Sequence, residues 1–307
     1  MRAFIFPGQG SQAVGMGKAL GEASRVAREL FQEVDEALRQ NLSRLMAEGP
    51  IEELTLTENA QPAIMANALA TLRAAGIDVA GKANFVAGHS LGEYTALAAA
   101  DSFDVATAAR LLKLRGIAMQ QAVPVGQGAM AAVLGATLEI AQAIADEAAQ
   151  GEVCTVANDN DPSQVVISGH RGAVERALAI AKEKGAKRAL LLPVSAPFHS
   201  ALMEPAAWAM AEALAEAPLL NPLVPLYANV TAEPVQEADE IRDLLVRQVT
   251  GVVRWRESVA GMAGAGVTHF VEFGAKVLGP MVKRIAPDAA VTSVITMDDL
   301  DALVKEL

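Results

Sequence analysis

The sequence predicts an α/β fold: a large subdomain with a mainly parallel sheet, into which a small antiparallel subdomain is inserted. Short apolar runs alternate with amphipathic stretches over most of the chain, which is typical of parallel strands covered by helices. The middle of the chain instead follows the order strand–helix–strand–strand–helix–strand of a ferredoxin-like unit. We therefore place the small ferredoxin-like subdomain at residues 126–192 and the large subdomain at residues 1–125 and 193–307.

Strands and helices alternate in the N-terminal part. The apolar run RAFIF at residues 2–6 predicts a strand, and PGQGSQ after it predicts a turn. Apolar residues recur every three or four positions over residues 17–47, which predicts helix there. The pattern also predicts a buried helix at 62–74, a strand at 84–88 and an amphipathic helix at 104–121.

The predicted small subdomain contains four apolar runs and two amphipathic stretches. Its predicted strands are residues 128–135, 153–159, 164–169 and 188–194, and its predicted helices are residues 137–149 and 171–185. A polar loop with Asp161 and Pro162 separates the second strand from the third, as turn residues do between paired strands.

Composition argues against several classes of function. The net charge of −11 argues against broad binding to nucleic acids, which are themselves negatively charged. No apolar run reaches the ~18 residues of a membrane helix, and the N-terminus lacks the long apolar segment of a signal peptide. The single cysteine, Cys154, allows no intrachain disulfide, fits a cytoplasmic location, and is interpreted as a core residue rather than a nucleophile. No cluster of histidines and cysteines predicts a metal site.

The sequence GHSLG at residues 88–92 fits the nucleophile-elbow pattern G-x-S-x-G. A predicted strand precedes Ser90 and an alanine-rich helix follows it, which is the context that lifts a serine out of the sheet of an α/β-hydrolase-like subdomain. The N–H of Leu91 can then face a developing oxyanion. Ser90 is therefore the candidate nucleophile, and the alternative is an ordinary glycine-rich turn.

A serine nucleophile needs a base, and the chain has four histidines. His89 adjoins the serine and should point elsewhere, His170 lies in a strand-to-helix turn, and His269 lies on a predicted strand. His199 follows a strand beside Pro197, in the type of loop where catalytic bases occur. His199 is the candidate base, and the alternative is a histidine at a helix N-terminus without a chemical role.

Arg115 occupies the apolar face of its predicted helix, together with Leu111, Leu112 and Met119. A buried guanidinium requires a partner. Its planar fork suits a carboxylate, which can belong to the core or to a bound anion. A third possibility is an arginine whose charged end reaches the surface.

Several motifs in one order resemble the malonyl-CoA:acyl carrier protein transacylase family over essentially the whole chain. They are FPGQGSQ (6–12), QPA (61–63), GHSLGEY (88–94), Arg115, GAMAAVLG (128–135), ANDNDPSQVVISG (157–169), PFHSALM (197–203), YANVTA (227–232) and LVRQV (245–249). The resemblance implies transfer of a malonyl group from malonyl-CoA to the phosphopantetheine thiol of holo acyl carrier protein, by way of a malonyl-serine ester and without a bound cofactor.

The resemblance also assigns roles to individual residues. Ser90 would be the nucleophile and His199 the general base, with the backbone carbonyl of Gln248 orienting the histidine. The N–H groups of Gln9 and Leu91 would form the oxyanion hole.

The substrate side of the site follows from the same resemblance. Arg115 would bind the free carboxylate of the malonyl group. The substrate pocket would include Phe198, His89 and Met119. Phe198 would leave little room for a branch at the malonyl α-carbon, and the alternative is that it only packs in the core.

Three positions depart from the family pattern. Phe273 and Ala275 stand where the family commonly has small residues, and we expect only a local change of loop there. Asp159 lies between Asn158 and Asn160, for which loop hydrogen bonding and ligand contact are both open.

The carrier protein of such systems is acidic, so an acidic enzyme needs a local basic surface to bind it. The first basic group consists of Lys182, Lys184, Lys187 and Arg188, and the second of Lys276, Lys283 and Arg284. Either group is a candidate docking site, and either is otherwise an ordinary solvated face. The family is typically monomeric.

Alternative functions remain at this stage. An acyltransferase of a polyketide synthase or malonate decarboxylase system differs in its acceptor. A serine hydrolase or thioesterase would also use the elbow, but it has no need of a buried cation. A non-catalytic scaffold would not need Ser90, His199 and Gln9 together.

Overall fold

A computed structural model describes residues 1–306 and contains two β-sheets. The strands are β1 (Arg2–Phe6), β2 (Phe85–Gly88), β3 (Gly128–Leu134), β4 (Cys154–Asp161), β5 (Gln164–His170), β6 (Arg188–Leu191), β7 (Leu226–Tyr227), β8 (Pro234–Val235), β9 (His269–Phe273) and β10 (Ala290–Val294). The larger sheet has the order β10-β9-β1-β2-β7-β8, and all its pairs are parallel except β7 with β8.

Helices cover both sheets. They are α1 (Lys18–Ala23), α2 (Arg25–Leu38), α3 (Leu42–Glu48), α4 (Ile51–Thr55), α5 (Thr57–Ala74), α6 (Val79–Lys82), α7 (Gly92–Ala99), α8 (Val105–Gln121), α9 (Leu138–Ala149), α10 (Arg171–Glu183), α11 (Glu204–Glu216), α12 (Ala238–Thr250), α13 (Trp255–Gly264), α14 (Leu278–Ile285) and α15 (Met297–Glu306). Within residues 1–306, no helix is both long and apolar enough to cross a membrane.

The smaller sheet has the order β4-β5-β3-β6, and its pairs are antiparallel. With α9 and α10 it forms the predicted βαββαβ unit, which has a core of its own. The predicted fold class is therefore confirmed: a mainly parallel sheet with helices on it and an inserted ferredoxin-like unit.

The central strand β1 is buried on both faces, as expected for a parallel sheet covered by helices. Phe4 and Phe6 face the main helical core, while Ala3 and Ile5 face a second core around Trp255. The alternation follows from the two-residue repeat of a strand.

The register of β1 against β2 brings two loops together. Phe6 is aligned with Gly88, and the His89 N–H donates to the Phe6 carbonyl at 3.1 Å. Because the strands are parallel, the turn after β1 and the turn after β2 leave the same edge of the sheet. Gln9 and Ser90 are thereby placed next to each other.

Residues 17–47 are mostly helical, as predicted, and the structure divides this region into three helices. The Ser24 hydroxyl accepts the Ala27 N–H at 3.3 Å and caps α2, so the chain restarts at that point. Arg39 has a φ of 50° and ends α2. The apolar spacing continues across these breaks because all three helices pack on the same core.

Other element boundaries differ by a few residues. The helix predicted from residue 62 begins at Thr57, and the strand predicted to end at residue 159 continues to Asp161. The strand predicted over 188–194 ends at Leu191, and the segment after it turns into the site.

Two ion pairs join the smaller sheet to the larger subdomain. Asp159 on β4 accepts from Arg256 on α13, with Nε–Oδ distances of 3.0 and 2.9 Å. Asp161 on β4 accepts from Arg284 on α14 at 2.8 Å. Both aspartates are buried, and burial raises the pKa of Asp159, an effect that Arg256 opposes. Asp159 therefore has a structural role rather than a ligand-binding one.

We expect Arg256→Ala to lower the free energy of unfolding by roughly 1–3 kcal/mol, because it leaves the buried Asp159 carboxylate without its charged partner. Urea denaturation measures this change. Arg25→Ala is the control: it removes an exposed helical ion pair with Glu29 and should leave the midpoint unchanged. Equal stability of the two variants would contradict the role given to Asp159.

Candidate active site

Ser90 lies on a tight turn between β2 and α7, with a φ of 53°. A Cβ atom at Gly88 would lie 1.9 Å from the Gly92 carbonyl, and one at Gly92 would lie 2.4 Å from the Phe6 carbonyl. Both positions therefore admit only glycine, which is the physical reason for the G-x-S-x-G spacing. The turn places Ser90 Oγ in the pocket at the start of α7.

His199 lies beside Ser90, with Ser90 Oγ 2.8 Å from His199 Nε2. The other ring nitrogen, Nδ1, lies 2.9 Å from the Gln248 carbonyl and 3.1 Å from the Gly251 carbonyl. Carbonyl oxygens only accept hydrogen bonds, so Nδ1 carries the proton and Nε2 is the acceptor for Ser90. The ring is thus oriented as a general base requires.

Burial and, to a smaller extent, the nearby positive charge of Arg115 lower the pKa of His199 to about 3. The two backbone carbonyls oppose this effect. Within residues 1–306, no carboxylate lies within 4.0 Å of the His199 ring. The histidine is therefore neutral at physiological pH and forms a dyad with Ser90, oriented by carbonyls in place of an aspartate.

Arg115 extends along the floor of the site and is 1% exposed, which excludes a side chain that reaches the surface. Its guanidinium donates to Gln61 Oε1 at 2.8 Å, to Gln248 Oε1 at 2.8 Å and to Ser90 Oγ at 3.0 Å. Its centre lies 5.8 Å from the centroid of the Tyr94 ring. Burial lowers the pKa of Arg115.

The direct partners of Arg115 are neutral. Among the described residues no carboxylate lies within 4.0 Å of the guanidinium, and Arg115 Nε has no hydrogen-bond partner. Two partners were predicted for Arg115, a core carboxylate and a bound anion. Among the described residues, no core carboxylate lies within 4.0 Å of the guanidinium. A buried cation whose direct partners are all neutral, at the floor of a pocket, favours the other prediction, a bound anion.

Glu93 and Asn229 lie directly behind the nucleophile, and the sequence motifs did not assign them a role. Asn229 Oδ1 accepts the Ser90 N–H at 2.8 Å, and Asn229 Nδ2 donates to the Gly88 carbonyl at 2.7 Å. Glu93 Oε1 accepts the Asn229 N–H at 2.6 Å, and Glu93 Oε2 accepts from the amide of Gln248. The sequence did contain a signal for Glu93, because it is a charged residue within the otherwise apolar helix that follows Ser90.

Burial raises the pKa of Glu93 above its ordinary value. The Asn229 N–H, the Gln248 amide and the charge of Arg115 all act in the opposite direction. Both carboxylate oxygens accept hydrogen bonds from N–H donors, which is the arrangement of an ionised carboxylate.

Gln9 and Leu91 are the two residues predicted to supply the oxyanion hole. Both line the pocket around Ser90. Neither backbone N–H donates a hydrogen bond to another group of residues 1–306. Both donors are therefore open to an oxygen atom that develops negative charge beside Ser90.

The pocket has a volume of about 460 Å³ and receives side chains from both subdomains. Eight of the nine predicted site residues line it, namely Gln9, His89, Ser90, Leu91, Arg115, Met119, Phe198 and His199, and Gln248 lies behind them. His89 turns away from the serine toward Asn160, with 2.8 Å between Nε2 and Oδ1, as predicted from its place beside the nucleophile.

Pocket residues that the sequence analysis did not assign include Gln61 and Met130. Gln61 Oε1 accepts from Arg115, and Gln61 Nε2 lies 3.7 Å from the sulfur of Met119. The QPA motif contained Gln61, but only the packing of α5 against α8 shows its partner.

The remaining histidines lie away from the serine. His269 Nε2 lies 2.9 Å from Thr292 Oγ1 on the neighbouring strand. His170 Nδ1 accepts the Val153 N–H at 2.9 Å. Cys154 is buried in the core of the smaller sheet, as predicted, and burial raises the pKa of its thiol to about 11.

Phe273, one of the departures from the family pattern, is fully buried and packs on Phe4 and Phe6, with ring centroids 5.1 and 5.9 Å apart. Ala275 is buried close after it. Both residues are buried, and neither lines the pocket around Ser90.

The two basic groups differ in how many of their charged side chains already contact other groups of the protein. All four side chains of the first basic group are exposed, and Lys184 pairs with Glu147 at 2.7 Å. In the second basic group, Arg284 pairs with Asp161 and Lys283 donates to the Ala289 carbonyl at 2.6 Å. The first basic group therefore keeps more charge available for a partner.

Comparison with known proteins gives consistent similarities. The sequence matches the acyl transferase domain family over residues 3–278. It is 46% identical to the malonyl CoA-acyl carrier protein transacylase of Bacillus subtilis (strain 168) over 288 residues, which are 92% of this chain and 90% of that protein.

Solved structures agree with this similarity. The acyl-carrier-protein-S-malonyltransferase from Bartonella henselae is 50% identical, with a TM-score of 0.97 over 99% of this chain and 98% of that one. A malonyl-transacylase solved in complex with its type II polyketide synthase acyl-carrier protein is 40% identical, with a TM-score of 0.97 over 100% of this chain and 99% of that one.

The lowered pKa of His199 predicts how the reactivity of Ser90 depends on pH. A histidine with a pKa near 3 stays neutral as the pH falls from 7 to about 5, so the rate at which a sulfonyl fluoride modifies Ser90 should stay nearly constant. A histidine with the ordinary pKa of ~6.5 would lose about 30-fold in that range. Mass spectrometry measures the rate, and Ser90→Ala is the unlabelled control. A tenfold loss per pH unit below pH 6.5 would contradict the assignment.

Proposed function

Because this chain belongs to the acyl transferase family, among the malonyl-CoA:acyl carrier protein transacylases, we propose that Ser90 carries the malonyl group during transfer. The reaction is the transfer of malonyl from malonyl-CoA to acyl carrier protein, which supplies malonyl-acyl carrier protein for fatty acid synthesis. The CoA thioester is a substrate.

One observation carries the proposal: a nucleophile, a base and a buried cation meet at one atom. Ser90 Oγ lies 2.8 Å from His199 Nε2 and 3.0 Å from the Arg115 guanidinium. A general serine esterase needs the first contact but has no use for the second, because burying a cation costs free energy. The pair of contacts supports a substrate that is both a thioester and an anion.

In the first half-reaction, Ser90 Oγ attacks the thioester carbon while its proton passes to His199 Nε2. The carbonyl oxygen becomes an oxyanion, which accepts from the open N–H groups of Gln9 and Leu91. Collapse of the tetrahedral intermediate breaks the C–S bond, and His199 returns its proton to the departing CoA thiolate. The product is a malonyl ester on Ser90.

In the second half-reaction, the phosphopantetheine thiol of acyl carrier protein gives its proton to His199 and attacks the ester carbon. Collapse releases Ser90 Oγ, which takes the proton back. The two thioesters are of similar free energy, so the exchange is reversible. The cycle is ping-pong, because CoA leaves before the carrier reacts.

Arg115 accounts for the choice of acyl group in this proposal. The malonyl carboxylate would accept hydrogen bonds from the end of the guanidinium that faces Ser90 Oγ. An acetyl group offers no such partner. Phe198 and Met119, which line the pocket with Arg115, would restrict the volume near the α-carbon.

We further propose the first basic group as the docking surface for the acidic carrier protein. Lys182, Lys187 and Arg188 are exposed and have no ion-pair partner among the described residues. Arg188 begins β6, and the segment after β6 lines the pocket. This position supports delivery of the phosphopantetheine arm to Ser90.

The division of the chain into subdomains, its oligomeric state and its location are also proposed. We propose that residues 1–125 and 193–307 act as the catalytic subdomain and residues 126–192 as the small subdomain. The chain is proposed to act as a cytoplasmic monomer. A polyketide carrier is the alternative acceptor, supported by the similarity to the transacylase solved with such a carrier.

Brief mixing with malonyl-CoA should add one malonyl group to the protein, because the acyl-serine ester is an intermediate of the cycle. Intact-protein mass spectrometry detects it, and Ser90→Ala should show no adduct. Addition of holo acyl carrier protein should discharge the adduct. Release of free malonate without an adduct would instead identify a hydrolase.

Arg115→Ala should lower kcat/KM for malonyl-CoA by about 100-fold or more, because the buried malonyl carboxylate loses its charged partner. Acylation by acetyl-CoA should fall far less or increase. Stopped-flow or quenched-flow mass spectrometry measures both donors, with Lys113→Ala on the same helix as the control. Equal losses for both donors would contradict the role of Arg115.

A further inference from the structure

We propose that Glu93 is a positioning residue that orients the Arg115 guanidinium through the side-chain amide of Gln248. The inference rests on the proposed function, in which Arg115 binds the malonyl carboxylate. It assigns Glu93 a part in selecting acid-bearing acyl groups, although Glu93 does not line the pocket.

The contacts form a chain of three buried side chains. Glu93 Oε2 accepts from Gln248 Nε2, and Gln248 Oε1 accepts from Arg115 at 2.8 Å. A side-chain amide donates only through its nitrogen and accepts only through its oxygen. Gln248 Nε2 also donates to the Ser90 carbonyl at 2.9 Å, so this carbonyl and the Glu93 carboxylate together orient the oxygen of Gln248 toward Arg115.

The opposite orientation of the amide is unfavourable in this environment. It would place the Gln248 NH₂ against the guanidinium N–H groups and the Gln248 oxygen against the Glu93 carboxylate. Glu93, Gln248 and Arg115 are all at most 2% exposed, so solvent offers little compensation. The native arrangement gives each of these atoms a partner of the right kind.

The amide also separates two opposite charges. A direct salt bridge would occupy the edge of the guanidinium that the substrate carboxylate needs. With Gln248 between them, Glu93 balances the charge of Arg115 without contacting the guanidinium, and the guanidinium still reaches Ser90 Oγ in the pocket. The cation is thus held in place and remains available to an anion.

Glu93 has a second set of contacts that suggests a purely structural role. It accepts the Asn229 N–H, and Asn229 in turn holds the Ser90 N–H and the Gly88 carbonyl. A structural role in the elbow would affect every acyl donor alike. A role through Gln248 would affect mainly donors that carry a carboxylate, so the two roles are separable by experiment.

The test is Glu93→Gln, assayed with malonyl-CoA and acetyl-CoA. The new side chain can still accept the Asn229 N–H, but its NH₂ then faces the NH₂ of Gln248. The Gln248 amide keeps only the Ser90 carbonyl as a close acceptor, so its oxygen is held less firmly toward Arg115. We expect kcat/KM for malonyl-CoA to fall roughly 10- to 100-fold, mainly through KM, and that for acetyl-CoA to change less than about threefold. The malonyl-to-acetyl ratio is the readout.

Glu272→Gln is the matched control. Glu272 is also fully buried and accepts backbone N–H groups, from Val277, Leu278 and Gly279, but it has no contact with Gln248 or Arg115. The same carboxylate-to-amide change there should leave the malonyl-to-acetyl ratio unchanged. An equal shift of the ratio in both variants would overturn the proposal.

Gln248→Met provides a second variant that keeps the backbone carbonyl on His199 and removes only the amide. It should shift the ratio as Glu93→Gln does, and the double variant should shift it no further, because both changes break one relay. If Glu93→Gln fails to fold, an unchanged ratio in Gln248→Met overturns the proposal.

The outcomes also separate this inference from the proposed function. A wild-type protein that forms no malonyl adduct overturns the proposed function and the relay with it. A wild-type protein that is malonylated, with an unchanged ratio or equal losses for both donors in Glu93→Gln, overturns the relay alone.

Discussion

The close approach of the elbow to the central strand is the constraint on which the site depends. The start of α7 packs so tightly on the end of β1 that a Cβ at Gly92 would lie 2.4 Å from the Phe6 carbonyl. This contact fixes Ser90 at a φ of 53°, with its hydroxyl above the sheet and the Leu91 N–H beside it. The parallel register of Phe6 with Gly88 then brings the turn containing Gln9 to the same place. Ser90, Gln9 and Leu91 are thus positioned by backbone packing.

The electrostatic balance of the site is set by burial. Arg115 is 1% exposed, contacts Ser90 Oγ, and contributes to the low pKa of His199. The histidine is therefore neutral and able to accept a proton, and its low pKa also makes it a weak base.

The inserted subdomain lines the pocket and also helps to position residues of the site. The chain returns from β6 directly into the segment that holds Phe198 and His199, so the base sits where the two units meet. Asp159 and Asp161 on β4 join the two units at that junction, through ion pairs with Arg256 and Arg284. Asn160, between the two aspartates, contacts His89 beside the nucleophile. Because side chains alternate along a strand, Asp159 and Asp161 point toward the ion pairs, while Asn160 between them points toward the site.

The sequence by itself determined the fold class and the main chemical groups. The alternation of apolar runs predicted the parallel sheet and the ferredoxin-like unit, because these periodicities are local properties of strands and helices. The elbow glycines marked Ser90, and an arginine on an apolar helix face marked Arg115. The motifs' joint order indicated the family, which the comparisons confirmed.

Only the tertiary structure decided how distant residues meet. The break of the region 17–47 into three helices depends on the Ser24 cap and on the left-handed Arg39, neither of which changes the apolar spacing. The contact of Glu93 with Asn229 spans 136 residues, and that of Glu93 with Gln248 spans 155. Local patterns carry no information on such pairs, because a buried carboxylate acquires its role from the donors that the fold places around it.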